Sequence, residues 1–150
     1  MSKFGVSADH AEGHERPKPL PEITPFAQEF WEGTKRGELR IQRCKGCGHS
    51  QWIPRPNCEE CSSRELTSEL SSLSGVVYSF TIIRQVVMNS SAFEAELPFA
   101  LAAIELSSGV RLIAQVVDVE PEKVSIGMKV EASFEHLSDK VAVPKFHPIV

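Results

Sequence analysis

Residues 44–61 read Cys44-Lys-Gly-Cys47-Gly-His-Ser-Gln-Trp-Ile-Pro-Arg-Pro-Asn-Cys58-Glu-Glu-Cys61. All four cysteines of the 150-residue chain fall in this window, as two CxxC pairs with ten residues between them. Each pair can form a knuckle that turns two sulfurs to one side. Two facing knuckles then build a tetrahedral four-sulfur site, and soft thiolates in that geometry select Zn2+ or iron. Gly46 and Gly48 flank Cys47 and permit the positive φ of a tight knuckle. Pro56-Asn57 supplies the expected turn ahead of Cys58.

Other uses of the thiols fit less well. Two disulfides suit a secreted chain, and the N-terminal stretch MSKFGVSADHAEGHERPKPLPEITPFAQEF has no apolar segment of the kind an export signal needs. Thioredoxin-like redox chemistry uses one CxxC at a helix start, not two facing each other. Structural zinc on Cys44, Cys47, Cys58 and Cys61 is the expectation, with iron as the main alternative. A catalytic zinc keeps a position open for water, and four cysteines leave none. His49 is the one spare ligand nearby. The ion therefore holds shape in a segment too short to bury a core of its own. Four thiolates around Zn2+ leave the site formally dianionic, so some neighbouring Arg and Lys serve as charge balance.

Working outward, residues 1–23 read as a flexible arm. Thr24-Pro25 reads as N-cap and first position of a helix through Phe26, Phe30 and Trp31 to about Arg36, with Gly37 as its stop. That aromatic face docks either on the chain's own ribbon or on another subunit. Leu39–Arg43 alternates into Cys44, and 49–53 follows the first knuckle; these are the two expected ribbon strands. Residues 67–75, TSELSSLSG, read as a connection.

From Gly75 the apolar period becomes two. Val76, Tyr78, Phe80 and Ile82 fall on one expected face, and Ser79, Thr81 and Gln85 on the other. Phe99–Leu106 is a second strand, and Ser107-Ser108-Gly109 turns into a third at 110–117. A helical turn from Pro121, ending near Gly127, precedes a fourth strand through Val130, Ala132 and Phe134. Val141–Phe146 is a fifth, with Pro144 marking an edge or an exit. The expected fold is mainly β: a small closed barrel such as an OB-fold, with an SH3-like barrel or a small sandwich left open by the count. The division is 1–23 arm, 24–66 helix and ribbon, and 67–150 barrel.

The chain is 41% hydrophobic and 24% charged, an ordinary balance for a folded soluble protein. No run approaches the roughly 20 apolar residues of a membrane helix, so the cytoplasm is the expected location. The net charge of −4 is uneven: 35–64 carry seven basic and three acidic residues, while 66–150 carry six and ten. No Gly-rich phosphate loop, HExxH or GxSxG occurs, and the histidines at 10, 14, 49, 136 and 147 are scattered. Autonomous catalysis is not expected.

Several pieces in order carry a resemblance. They are Phe30-Trp31-Glu32-Gly33, then Gly37 through Gly48, Pro54 through Cys61, and Ser74-Gly75-Val76-Val77-Tyr78-Ser79-Phe80-Thr81. Leu97-Pro98-Phe99, Ile126 through Val130, and Pro144-Lys145-Phe146 complete the set. Over residues 24–148 the chain resembles the DUF35 family of acyl-CoA-associated proteins. The resemblance implies a rubredoxin-like zinc ribbon followed by a five-stranded OB-fold. It further implies a small non-catalytic subunit of a thiolase-superfamily complex, a thiolase, retro-aldolase or related acyltransferase, with the catalytic Cys and His on the partner. A hetero-oligomer, expected as a heterotetramer, would share coenzyme A or acyl-CoA across the interface.

On that reading Arg43, Lys45 and Arg55 are candidates to meet coenzyme A phosphates, and Trp52, Tyr78 and Phe80 to line pantetheine or stack adenine. The competing reading of these residues is charge balance for the thiolates and barrel core. Single-stranded nucleic-acid binding is the alternative function for a ribbon and an OB-fold. The acidic barrel half argues against it, since strands 76–87 and 110–117 offer only Arg84 and Arg111. A stand-alone hydrolase or thioesterase is the third possibility.

Overall fold

The computed structural model describes residues 17–86 and 91–149. Of the expected arm, residues 1–16 lie outside the described residues, and 17–23 carry no helix or strand. Lys18 ties this stretch to the barrel by bonding Glu96 and Glu135.

The first helix, α1 (Gln28–Lys35), begins later than the Thr24-Pro25 signal predicts. Ala27 N–H donates to Thr24 O at 3.0 Å and closes a tight turn first, so no side chain caps the helix. Its end is where glycine chemistry places it. Gly37 sits at φ +77° and donates to Thr34 O, and Glu38 N–H reaches back to Gly33 O, which is a Schellman motif.

β1 (Leu39–Cys44) is the middle of a three-stranded antiparallel sheet, between β2 (Ser50–Gln51) and β3 (Leu66–Ser71). Two expectations change here. The second ribbon strand is two residues long, not five, because Gln51 turns its side chain inward and the chain leaves toward Pro54 and Pro56. The buried Gln51 amide then does the linking: it donates to Gln42 Oε1 and Asn57 O and accepts from Glu59 N–H. The supposed connection contains β3, in register with β1 from Leu39–Ser71 to Cys44–Leu66. Its half-exposed, serine-rich edge position leaves no apolar alternation to read.

The barrel comprises β4 (Ser74–Ile83), β5 (Phe99–Leu106), β6 (Arg111–Val116), β7 (Lys129–His136) and β8 (Ala142–Pro148). They close in the order β4-β5-β6-β8-β7, which is that of an OB-fold and removes the SH3-like and sandwich alternatives. The β4–β5 connection carries a short helix, α2 (Ser91–Glu94), a single turn too short for an apolar period to show. The turn before β7 is a 3-10 helix, Pro121–Lys123. Pro144 neither ends nor leaves β8; it pairs opposite Phe134. β8 meets β6 only at Val116–Phe146, so a residue without an N–H costs no ladder bond on that edge.

The phase of β4 also differs from expectation. A bulge between Val77 and Ser79 shifts the alternation. Gly75 and Val77 face the core, Val76 and Tyr78 face out, and Phe80 and Ile82 are half-buried. Gly75 is inward because nothing larger fits: an added Cβ would lie 2.6 Å from Ile104 Cγ2 and 3.0 Å from Glu105 O. Gly75→Ala is expected to cost about 1–3 kcal/mol, read as a lower urea midpoint by circular dichroism, since the neighbouring backbone cannot yield. An unchanged midpoint would show that the barrel breathes at this point.

One apolar core serves both lobes. Phe146, Ile104, Leu112, Val77 and Val130 fill the barrel, and Phe30, Leu39 and Ile41 join the same cluster from α1 and β1. Phe30 therefore docks on the chain itself, stacked edge-on to Trp31 at 4.9 Å and tilted against Trp52 at 5.8 Å. Phe26 remains largely exposed. Among the described residues, no helix is long and apolar enough to cross a membrane.

Candidate metal centre and the surfaces around it

The two knuckles are built alike. Gly48 N–H donates to Cys44 O at 2.9 Å, and Ser62 N–H donates to Cys58 O at 3.0 Å. Both closing residues have positive φ, Gly48 at +76° and Ser62 at +64°. Gly46 and the Pro56-Asn57 pair, expected to supply the turns, are not the left-handed positions. Asn57 contributes instead by donating to Ser62 O, which helps hold the strained serine.

The result brings all four sulfurs within 4.8 Å of one another. Cys44 and Cys61 stand 3.5 Å apart, and Cys47 and Cys58 3.7 Å. A tetrahedral zinc with Zn–S bonds of about 2.3 Å needs sulfur–sulfur edges of about 3.8 Å, so the donor set fits structural Zn2+. Cys44 and Cys58 are buried while Cys47 and Cys61 face out. The Cys47 backbone N–H, helped by the Cys61 sulfur and Gly46, pulls the Cys44 thiol down to about 6 against burial. At Cys47 the His49 N–H acts the same way, but burial and the other three sulfurs outweigh it and push that thiol up to about 12. His49 takes no part; its ring bonds Glu59 at 2.7 Å.

The other six candidate residues are spread over the molecule. Arg43 is exposed on β1 and lies 3.6 Å from Glu69. Lys45 is exposed in the first knuckle. Arg55 lies 3.8 Å from Glu59, on the loop that also carries Trp52. Tyr78 stands on the outer barrel wall under the Arg111 guanidinium, 3.6 Å from the ring centroid, and Arg111 is fixed at 2.9 Å by Glu105. Phe80 packs against the core. Val76 and Ile113 are also exposed on the outer barrel face. The sequence does not show the Arg111–Tyr78 pair, because the face on which Tyr78 stands depends on the bulge in β4.

A four-thiol ribbon joined to a closed barrel of this strand order defines the class: a zinc-ribbon and OB-fold protein. Residues 31–67 match the ChsH2 rubredoxin-like zinc ribbon domain, and residues 68–135 match the ChsH2 C-terminal OB-fold domain. A DUF35 domain-containing scaffold protein of Methanocaldococcus jannaschii is 36% identical over 98 residues, covering 65% of this chain and 67% of that one. The chain belongs to the DUF35 family. It is also similar to the probable enoyl-CoA hydratase alpha subunit of Thermomonospora curvata, 31% identical over 133 residues and 89% of this chain, although the chain spans only 40% of that protein's length. A solved structure described as Ltp2-ChsH2(DUF35) aldolase superimposes with a TM-score of 0.76 at 29% identity, covering 87% of this chain and 100% of that one.

Proposed function

We propose that this chain is a non-catalytic, zinc-braced subunit that docks on the catalytic subunit of an acyl-CoA enzyme. The finer form of the reading is a thiolase-superfamily partner that makes or breaks a carbon–carbon bond beside a coenzyme A thioester. The observation that carries it is the overlay along the full length of a DUF35 chain whose structure is described as an aldolase with Ltp2. The relative described as an enoyl-CoA hydratase alpha subunit supports the same class of substrate.

The physical logic is positioning. A long, flexible, anionic cofactor is held by one surface while a second subunit supplies the reacting groups. On this reading Arg43, Lys45 and Arg55 meet phosphates, Arg43 and Arg55 by exchanging Glu69 and Glu59 for them, and Trp52, Tyr78 and Phe80 are the proposed contacts to the organic part. Nucleic-acid binding gains no support, because Arg84 and Arg111 on the barrel are each engaged by a glutamate, Glu122 and Glu105.

Co-expression of the tagged chain with a thiolase-like subunit is expected to give a stoichiometric heteromer by light scattering, with acyl-CoA turnover confined to the complex. Tyr78→Ala is expected to weaken assembly about tenfold or more without loss of bound metal, as exposed aromatic–arginine pairs are common interface anchors. Turnover by the isolated chain would sink the proposal.

A further inference from the structure

The three-stranded ribbon sheet has two edges, and only one of them is guarded. At one edge β2 is two residues long, and the chain beyond it carries Pro54 and Pro56, which cannot donate to a further strand. At the other edge β3 is six residues long and pairs with β1 without a bulge. It holds no proline and no lysine, and its one charged residue, Glu69, is drawn across the sheet to within 3.6 Å of Arg43. Leu70 stands in water on this strand, 64% exposed. An edge left open in this way is a template for another strand.

The direction of its free groups follows from the register. Lys45 N–H donates to Glu65 O, while Cys44 N–H donates to His49 O on the opposite side of β1. Main-chain groups alternate along an antiparallel pair. Thr67 and Glu69 therefore bond β1, and the N–H and C=O groups of Ser68 and Leu70 point away from it, as does the carbonyl of Leu66. Leu66 N–H is taken by Arg64 O. Among the described residues no strand meets this side. A groove of about 540 Å3 runs along it, bordered by Leu66, Thr67 and Ser68 and, on α1, by Glu29, Glu32 and Arg36.

We infer that a second copy of this chain pairs with β3, antiparallel about a two-fold axis at Ser68, so that the two ribbon sheets become one. Leu66-Thr67-Ser68-Glu69-Leu70 reads nearly the same in both directions. The axis sets Leu66 opposite the copy's Leu70, Ser68 opposite Ser68 and Thr67 opposite Glu69, so no like charges face each other. Each Ser68 N–H donates to the copy's Ser68 carbonyl, and each Leu70 N–H to the copy's Leu66 carbonyl. These bonds use the groups that β1 leaves over. The groove is self-complementary in charge as well. α1 carries Glu29 and Glu32 before Arg36, and Arg36 and Arg40 share the single Glu38 carboxylate, which leaves that end one positive charge. A two-fold axis reverses the helix and turns the acidic end of each copy toward the basic end of the other.

A seam of one strand is small, so the dimer is expected to be weak. The zinc-loaded full-length chain is followed by sedimentation velocity from about 1 to about 300 µM, where the mass should rise from 16.6 kDa toward twice that value. Amide hydrogen exchange read by NMR tests the register. Ser68 and Leu70 should gain about tenfold protection or more as concentration rises, while Thr67 and Glu69 stay protected throughout. Ser68→Pro removes an outward N–H and leaves the bonds to β1 in place, so it should raise the dissociation constant about tenfold or more. Leu70→Lys should do the same by placing a charge on the seam. The zinc content of each variant checks that its ribbon is folded; where it is not, the wild-type exchange pattern decides alone. A single-chain mass over the whole range overturns the inference. So does a dimer whose Ser68 and Leu70 amides stay unprotected, since its contact lies on another face. Protection of these amides only on addition of a catalytic subunit assigns the edge to that partner and overturns the inference too. Each of these results leaves the acyl-CoA reading standing, because the pairing of β3 does not rest on it.

Discussion

Cys44→Ser is expected to abolish stoichiometric zinc binding and to unfold the ribbon while the barrel keeps its strands. Cys44 ends β1, is almost fully buried, and is bracketed by backbone bonds from its own N–H to His49 O and from Gly48 N–H to its carbonyl. A serine hydroxyl stays protonated at neutral pH and cannot replace the thiolate. The knuckle end of the ribbon has little else to hold it, since β2 pairs with β1 at only two positions. Structural zinc contributes about 10–16 kcal/mol in zinc-finger peptides, as much as or more than the roughly 5–15 kcal/mol that separates folded from unfolded domains. Elemental analysis should therefore find one zinc per wild-type chain and almost none in the variant. The emission of Trp52, which follows β2 directly, should shift to the red, while the far-ultraviolet strand signal largely persists. A variant that retained full zinc content would show that three thiols suffice and would undo the account of the site.

The second large effect is expected in the barrel. Phe146 is completely buried at the point where the barrel closes. It lies opposite Ala132 on β7 and Val116 on β6, and its carbonyl accepts from Val117 N–H at 2.7 Å. Phe146→Ala should cost about 3–5 kcal/mol, because the surrounding strands cannot collapse into the space without breaking the closure. Phe134→Ala, at a half-buried position on β7, should cost visibly less. Urea unfolding followed by circular dichroism separates the two. A loss below about 1 kcal/mol for Phe146→Ala would mean that the closure contributes little to stability.

Much of this architecture is legible in the amino-acid sequence itself. The four-sulfur cluster follows from spacing alone, because thiolate geometry is local. Chain stereochemistry places Gly37 and the Ser107-Ser108-Gly109 turn, and Gly109 does adopt φ +85°. What escapes is whatever depends on partners far away along the chain. β3 is defined by pairing with β1, not by its own composition. The inward and outward faces of β4 are exchanged at Val76 and Tyr78, because a bulge shifts a period of two and leaves no apolar signature. Trp31 of α1, Trp52 of the ribbon, Leu101 of β5, Ile113 of β6 and Lys145 of β8 line one cleft, a meeting that no window of sequence contains.

The passage from β3 to β4 has a mechanical meaning. β3 ends at Ser71 and β4 starts at Ser74, and the carbonyl of Leu73 between them accepts from Ala132 N–H at 2.8 Å. There is no swivel at that joint. The ribbon end and the barrel mouth form a splint of fixed length, so a partner that gripped one end would find the other at a set distance and angle. Loss of the four-sulfur cluster would therefore remove one end of the splint while the barrel end keeps its shape.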